Sequence, residues 1–207
     1  MGVARRQAPD SELGIAQEQI MESATRLFAS LGYDGTSNEM IADAAGLDLA
    51  TVERLAGTKR DIYLAVVARF HRIATAMFDS AFAEFTPDRA GVLMLADRYL
   101  DYCVDHPEVP ALWTHRWQSD AADITEVERL YFMPLFDRCV ERIQTSLDGD
   151  VDVEYALWTL TWCIHGFCMG SVLNSRGERE GPDNTAFLRR FRRHLHKLVG
   201  QVFELSR

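Results

Sequence analysis

The stretch that decides the fold is IMESATRLFASLGYDGTSNEMIADAAGLDLATVERLAGTKRDIYL, residues 20–64. Ile20, Ala24, Leu27, Phe28 and Leu31 lie on one apolar stripe at helical spacing, which predicts an amphipathic helix from Ile15 to Leu31. Gly32 supplies its stop, and Tyr33-Asp34-Gly35 reads as a turn. Thr36 and Glu39 match a capping box, so a second, short helix is expected to run to about Ala45. Gly46 permits a left-handed turn and Asp48 caps a third short helix over 49–55. Two short helices joined by a glycine-containing turn make a helix-turn-helix candidate. Thr58 and Asp61 repeat the capping-box pattern, and no strong breaker follows Lys59 until Pro87. The fourth helix is therefore long, roughly 40 Å by the rise per residue.

Outward from this segment, Pro87, Pro107, Pro134, Pro182 and the run Asp148-Gly149-Asp150 punctuate the chain. They predict five more helices near 88–105, 108–118, 123–147, 151–175 and 183–205. No alternating strand pattern stands out. The expectation is an all-α protein of about nine helices: a flexible arm over 1–12, a three-helix helix-turn-helix domain over 13–65, and a helical ligand-binding and dimerisation domain over 66–207. The 207 residues, 47% hydrophobic and 26% charged, suffice for a sizeable core and argue against disorder. Cys103, Cys139, Cys163 and Cys168 lack disulfide-scaffold or zinc-ribbon spacing and read as reduced, mostly buried thiols. No apolar run follows the first arginines, so a secretory signal is not expected and the protein reads as cytoplasmic. Tyr155 to Ser175 carries no formal charge, but its polar residues favour a helix buried all round over a membrane span.

The net charge of −9 is unusual for a nucleic-acid binder. Up to Ala65 there are six Lys/Arg against ten Asp/Glu, and beyond it sixteen against twenty-one, so neither part is basic.

The segment from Ile20 to Leu64 nevertheless resembles the amino-terminal domain of TetR-family transcription regulators. Ala24, Leu27, Phe28, Gly32, Tyr33, Thr36, Ser37, Ile41, Ala42, Ala45, Gly46, Thr51, Lys59 and Ile62 carry the resemblance, in order and without gaps. It implies that the third helix enters the major groove of operator DNA. Thr36, Thr51 and Lys59 would then lie near phosphates, while Arg54 and the residues around Leu49 and Ala50 would face base edges. It also implies a homodimer, a ligand pocket between the later helices, and a regulator, here read as a repressor, without cofactor or catalysis. Some positions depart from the pattern: Glu53, Leu55 and Ala56 stand where the family usually has aromatic residues, Asp48 where Ser is common, and Asn38 where an apolar residue is common. A carboxylate in place of a phosphate-facing hydroxyl turns a donor into a repelled anion. That substitution supports an alternative reading, a TetR-fold small-molecule-binding or adaptor protein with weakened or lost DNA binding.

The carboxy-terminal half holds Tyr99, Tyr102, Trp113, Trp117, Trp158 and Trp162. Tyr102, the four tryptophans and His165 are the expected wall of a pocket for a small apolar or aromatic ligand. Cys163, His165 and Cys168 do not share one helical face, so no metal site is expected. No nucleophile elbow, phosphate loop, dinucleotide fingerprint or zincin motif occurs. Gly166 and Gly170, with Phe191, Leu195 and Leu198 on the apolar stripe of the last helix, are the expected dimer interface. Arg189, Arg190, Arg192, Arg193 and Lys197 read as its solvated face.

Overall fold

A computed structural model describes residues 7–147 and 151–203, with side chains from residue 12 onward. The expected break at Asp148-Gly149-Asp150 lies outside the described residues, as does the start of the expected arm. Nine α-helices are described: α1 (Gln7–Leu31), α2 (Asn38–Ala45), α3 (Leu49–Ala56), α4 (Lys59–Glu84), α5 (Arg89–Asp105), α6 (Glu108–Trp117), α7 (Met133–Gln144), α8 (Val153–Gly170) and α9 (Thr185–Val202). A single π-helical turn, Glu128–Phe132, leads into α7. Between α8 and α9, strand β1 (Val172–Leu173) pairs antiparallel with β2 (Arg179–Glu180), Val172 opposite Glu180.

The chain divides into two compact units, one comprising residues up to Phe70 together with Leu112–Val127, the other His71–Ala111 together with residues from Glu128 onward. No local pattern in the sequence marks 112–127 as belonging with the amino-terminal helices. In the first unit, Ile20, Ala24 and Phe28 of α1, Ile41 of α2, Val52 of α3, and Ile62 and Tyr63 of α4 are buried. The Phe28, Tyr33 and Tyr63 rings pack with centroids 5.0 to 6.1 Å apart. Ala121, Ile124 and Val127 complete this core and are fully buried.

In the second unit α5 packs on α8 and α9, and α8 on α7 and α9. Arg192 of α9 donates to Asp97 at 2.8 Å and to Asp101, and the His196 ring nitrogen lies 2.9 Å from both Asp97 oxygens, which ties α9 to α5.

Several expectations need correction. Thr36 does not cap α2: its hydroxyl donates inward to the Gly32 carbonyl at 2.7 Å and it is buried, whereas Ser37 accepts from the Met40 N–H. The expected long helix over 123–147 starts only at the π turn, and Pro134 sits in the first turn of α7, where a missing N–H costs nothing. α8 stops at Gly170, because Ser171 takes a φ of 57° and turns the chain into the hairpin. Nor is α8 buried all round, since Tyr155 is 69% and Trp162 54% exposed. Among the described residues no helix is long and apolar enough to cross a membrane.

Candidate nucleic-acid interface and ligand domain

α2 ends in a left-handed Gly46, φ 68°, with the Leu47 N–H bonded to the Ala42 carbonyl at 3.0 Å and the Gly46 N–H to that of Asp43 at 3.2 Å. This closure satisfies carbonyls at the helix end and sets the angle at which α3 leaves. Asp48 then caps α3. One carboxylate oxygen accepts the Thr51 N–H and the other the Thr51 hydroxyl, both at 2.8 Å. These bonds, the hydroxyl first, hold the Asp48 carboxyl below its ordinary pKa. Val52 fixes α3 from beneath, fully buried, and leaves Ala50, Glu53 and Arg54 exposed on the outer side with Leu49 half-buried. After α3, Thr58 and Asp61 form the expected reciprocal cap at the start of α4: the Thr58 N–H donates to Asp61 at 2.9 Å and the Asp61 N–H to the Thr58 hydroxyl at 3.3 Å.

The three residues expected near phosphates are engaged within the head. Thr36 is turned inward to Gly32, Thr51 donates its hydroxyl proton to Asp48, and Lys59 donates to the Tyr33 carbonyl at 3.0 Å with its ammonium 4.1 Å from the centre of the Tyr33 ring. Asn38, where the resemblance expects an apolar residue, reaches the Gly57 carbonyl at 3.3 Å and so links the start of α2 to the end of α3. A family model described as bacterial regulatory proteins, tetR family, matches residues 20–66, the whole of this helix-turn-helix with its flanking helices. The helix-turn-helix segment is that of the TetR-family regulators.

Among curated proteins none matches the sequence. Solved TetR-fold structures do match along nearly all of it. The ketosteroid transcriptional regulator KstR2 of Mycobacterium tuberculosis superposes with a TM-score of 0.70 at 15% identity, covering 90% of this chain and 94% of that one. The fatty acid degradation regulator FadR of Bacillus halodurans gives 0.64 at 14%, covering 89% and 94%. The TetR-family regulator PfmR of Thermus thermophilus gives 0.63 at 21%, covering 91% and 96%. At these identities the likeness is one of fold, and it extends the TetR architecture through the carboxy-terminal helices.

The residues expected to wall a pocket do not all fall in one unit of the chain. Trp113 and Trp117 stack on each other, centroids 6.4 Å apart, in the unit that holds the helix-turn-helix. Tyr102, Trp158, Trp162 and His165 belong to the other unit, in two aromatic groups. One gathers Phe78, Tyr99, Tyr102 and His165, with the Tyr99 hydroxyl 2.7 Å from the His165 ring nitrogen. The second stacks Trp158 on Phe132 at 5.2 Å, with Trp162 tilted against Trp158 at 5.7 Å. Tyr99 is the hub of the first group; it is legible in the sequence as one of the surplus aromatics, but its pairing with a histidine on another helix has no local signal.

Burial keeps this interior uncharged. Desolvation lowers the His165 pKa to about 4, raises that of the Tyr99 hydroxyl, and pushes the Cys139 and Cys168 thiols up to about 12 and 11. A neutral imidazole bonded to a neutral phenol offers one polar handle in apolar surroundings. The same burial makes the domain acid-sensitive. The unfolded chain binds a proton at this histidine below about pH 6.5, whereas the native chain does so only near pH 4. Stability is therefore lost as pH falls through that window, by about 3 kcal/mol in all. Urea titrations between pH 7 and 4 should show this loss, and His165→Gln, which keeps an acceptor for Tyr99, should flatten it.

The outer face of α8 carries Tyr155, Trp162 and Met169 exposed, with Gly166 and Gly170 between them, and a side chain at either glycine would meet nothing within 4 Å. On α9, Leu195 is only 1% exposed and, with Val199 and Phe203, faces the core of its own chain. It is therefore removed from the expected interface, because its surface is already covered. Phe191 stacks on Phe167 at 4.0 Å and is half-buried, as is Leu198.

Proposed function

We propose that this TetR-family regulator is a homodimeric repressor that reads a palindromic operator through two copies of α3 and leaves it when a small apolar or aromatic molecule enters the carboxy-terminal domain. The observation that carries the reading is the outer side of α3, where Ala50, Glu53 and Arg54 stand exposed on a helix fixed from beneath by Val52. Arg54 supplies a planar donor for a base edge, Thr51 would turn its hydroxyl from Asp48 to a phosphate, and Lys59, which donates one of its three ammonium protons to Tyr33, has others to offer a phosphate. Dimerisation uses the exposed α8 face at Tyr155, Trp162, Gly166, Met169 and Gly170, with Phe191 and Leu198 of α9 at its margin. A two-fold arrangement then fixes the separation of the two reading helices and hence the half-site spacing.

The ligand class follows from the uncharged interior around Tyr99, Tyr102, Trp158 and His165. Apolar bulk is favoured, and the Tyr99–His165 pair recognises one hydroxyl or carbonyl. Two proteins of like fold are named for ketosteroid and fatty acid degradation regulation, which is ligand chemistry of this kind. Release is a population shift: the ligand lowers operator affinity by its differential affinity for the conformation in which the heads are wrongly spaced.

A second reading keeps the fold and drops the operator, making the chain an adaptor or small-molecule binder. It rests on Asp48 and Glu53, two carboxylates at the exposed reading helix. Anisotropy titration against DNA from the region upstream of the protein's own gene, at two salt concentrations, separates the two. A repressor binds tightly with strong salt dependence, and binding no better than to random DNA defeats the repressor reading.

A further inference from the structure

We propose that Asp120, which lies outside the helix-turn-helix segment, is a positioning residue for operator binding; the inference rests on the operator reading above. Its two carboxylate oxygens accept the backbone N–H of Tyr33 at 2.7 Å and of Asp34 at 2.8 Å, in the turn that joins α1 to α2. Both donors lie past the end of α1, and bonds to a carboxylate are the stronger kind. Gly32 makes the approach possible: at a φ of 74° it has no side chain, and a Cβ there would lie 2.9 Å from one Asp120 oxygen.

The loop that delivers this carboxylate is built under constraint. Ser119 and Ala121, on either side of Asp120, take φ values of 72° and 54°, a region that non-glycine residues occupy only where the surroundings impose it. Arg116 imposes it by donating to the carbonyls of Asp120 and Ile124, both at 3.0 Å, and of Ala121. The His115 ring reaches the Ala29 carbonyl at 3.1 Å, and Glu126 pairs with Arg60 of α4. The end of α6 and the segment after it thus hold α1, the α1–α2 turn and the start of α4 together.

The consequence for DNA lies in Tyr33. Its N–H is held by Asp120, while its carbonyl accepts both the Thr36 N–H at 3.1 Å and the Lys59 ammonium at 3.0 Å. One peptide segment therefore links Asp120 to the cation that the operator reading brings to a phosphate, and to the residue that precedes the α2 cap. Asp120 touches no DNA in this scheme. It acts through the turn.

The test uses the full-length chain with Asp120→Asn and Asp120→Glu. The amide of Asn presents an N–H where an acceptor is needed, and Glu keeps the charge but displaces it by one methylene. Hydrogen exchange at the Tyr33 and Asp34 amides, operator anisotropy and thermal unfolding are measured on each. The expected result is fastest exchange at those two amides in Asp120→Asn, with operator affinity about tenfold weaker, Asp120→Glu intermediate in both, and affinity that follows the local exchange and not the melting temperature. Wild-type affinity in both variants, or affinity that follows global stability alone, overturns the inference while leaving the operator reading intact. Failure of the wild-type protein to bind its upstream DNA overturns the operator reading and the inference with it.

Discussion

Trp162→Arg is expected to turn the proposed dimer into folded monomers. Trp162 is 54% exposed on α8, so the fold of one chain does not depend on burying it. In a two-fold interface every residue occurs twice, and a large aromatic ring near the centre of the contact is the kind of anchor whose loss is costly. An arginine there desolvates two like charges at close range and removes two indoles, which should shift dissociation by several orders of magnitude at micromolar protein. Sedimentation velocity checks the mass, and unchanged far-ultraviolet dichroism checks the fold. The same substitution at Leu195 should behave differently. Leu195 is 1% exposed among Val199 and Phe203, so a charge there is buried without a partner and unfolds the domain instead of parting two intact chains. A Trp162→Arg protein that still sediments as a dimer would move the interface off this face of α8.

Leu195 also shows where the sequence stops being informative. Its stripe on α9 reads plainly as an apolar face, but periodicity does not say whether a second copy or the chain's own core covers that face. Burial decides it, and burial is a tertiary fact. The helix-turn-helix is legible because its determinants are local: Gly46 at a left-handed turn, Asp48 accepting from Thr51, and Thr58 with Asp61 across one helical turn. The α2 cap is harder to assign. Thr36 and Ser37 are chemically equivalent caps one residue apart, and only the inward bond of Thr36 to Gly32 gives the role to Ser37. The hairpin after α8 has strands of two residues, too short for any alternation to show. Asp120, Trp113 and Trp117 read from sequence as parts of the later domain, since nothing local distinguishes a helix that returns to the head from one that does not.

Glu53→Tyr is expected to strengthen DNA binding by about tenfold, and to do so for all sequences alike. Glu53 is exposed on the outer side of α3, the face that the operator reading presents to DNA. The TetR resemblance places this position beside the phosphate backbone, where a carboxylate is repelled and a phenol donates. Phosphate contacts set affinity and register without reading bases, so restoring the donor should leave the order of preferred sequences unchanged. Removing an anion from the interface should also steepen the dependence of affinity on salt, because more of the counterion atmosphere is displaced on binding. Parallel anisotropy titrations of both proteins, on the upstream DNA and on a scrambled duplex at two salt concentrations, measure all three effects. If Glu53→Tyr instead weakens binding to the natural site while leaving the scrambled duplex unaffected, Glu53 reads a base, with the amino group of cytosine the donor that a carboxylate in the major groove would accept from. If neither protein prefers the natural site or gains on the scrambled one, α3 does not dock on DNA, and Asp48 and Glu53 mark a reading helix turned to another partner.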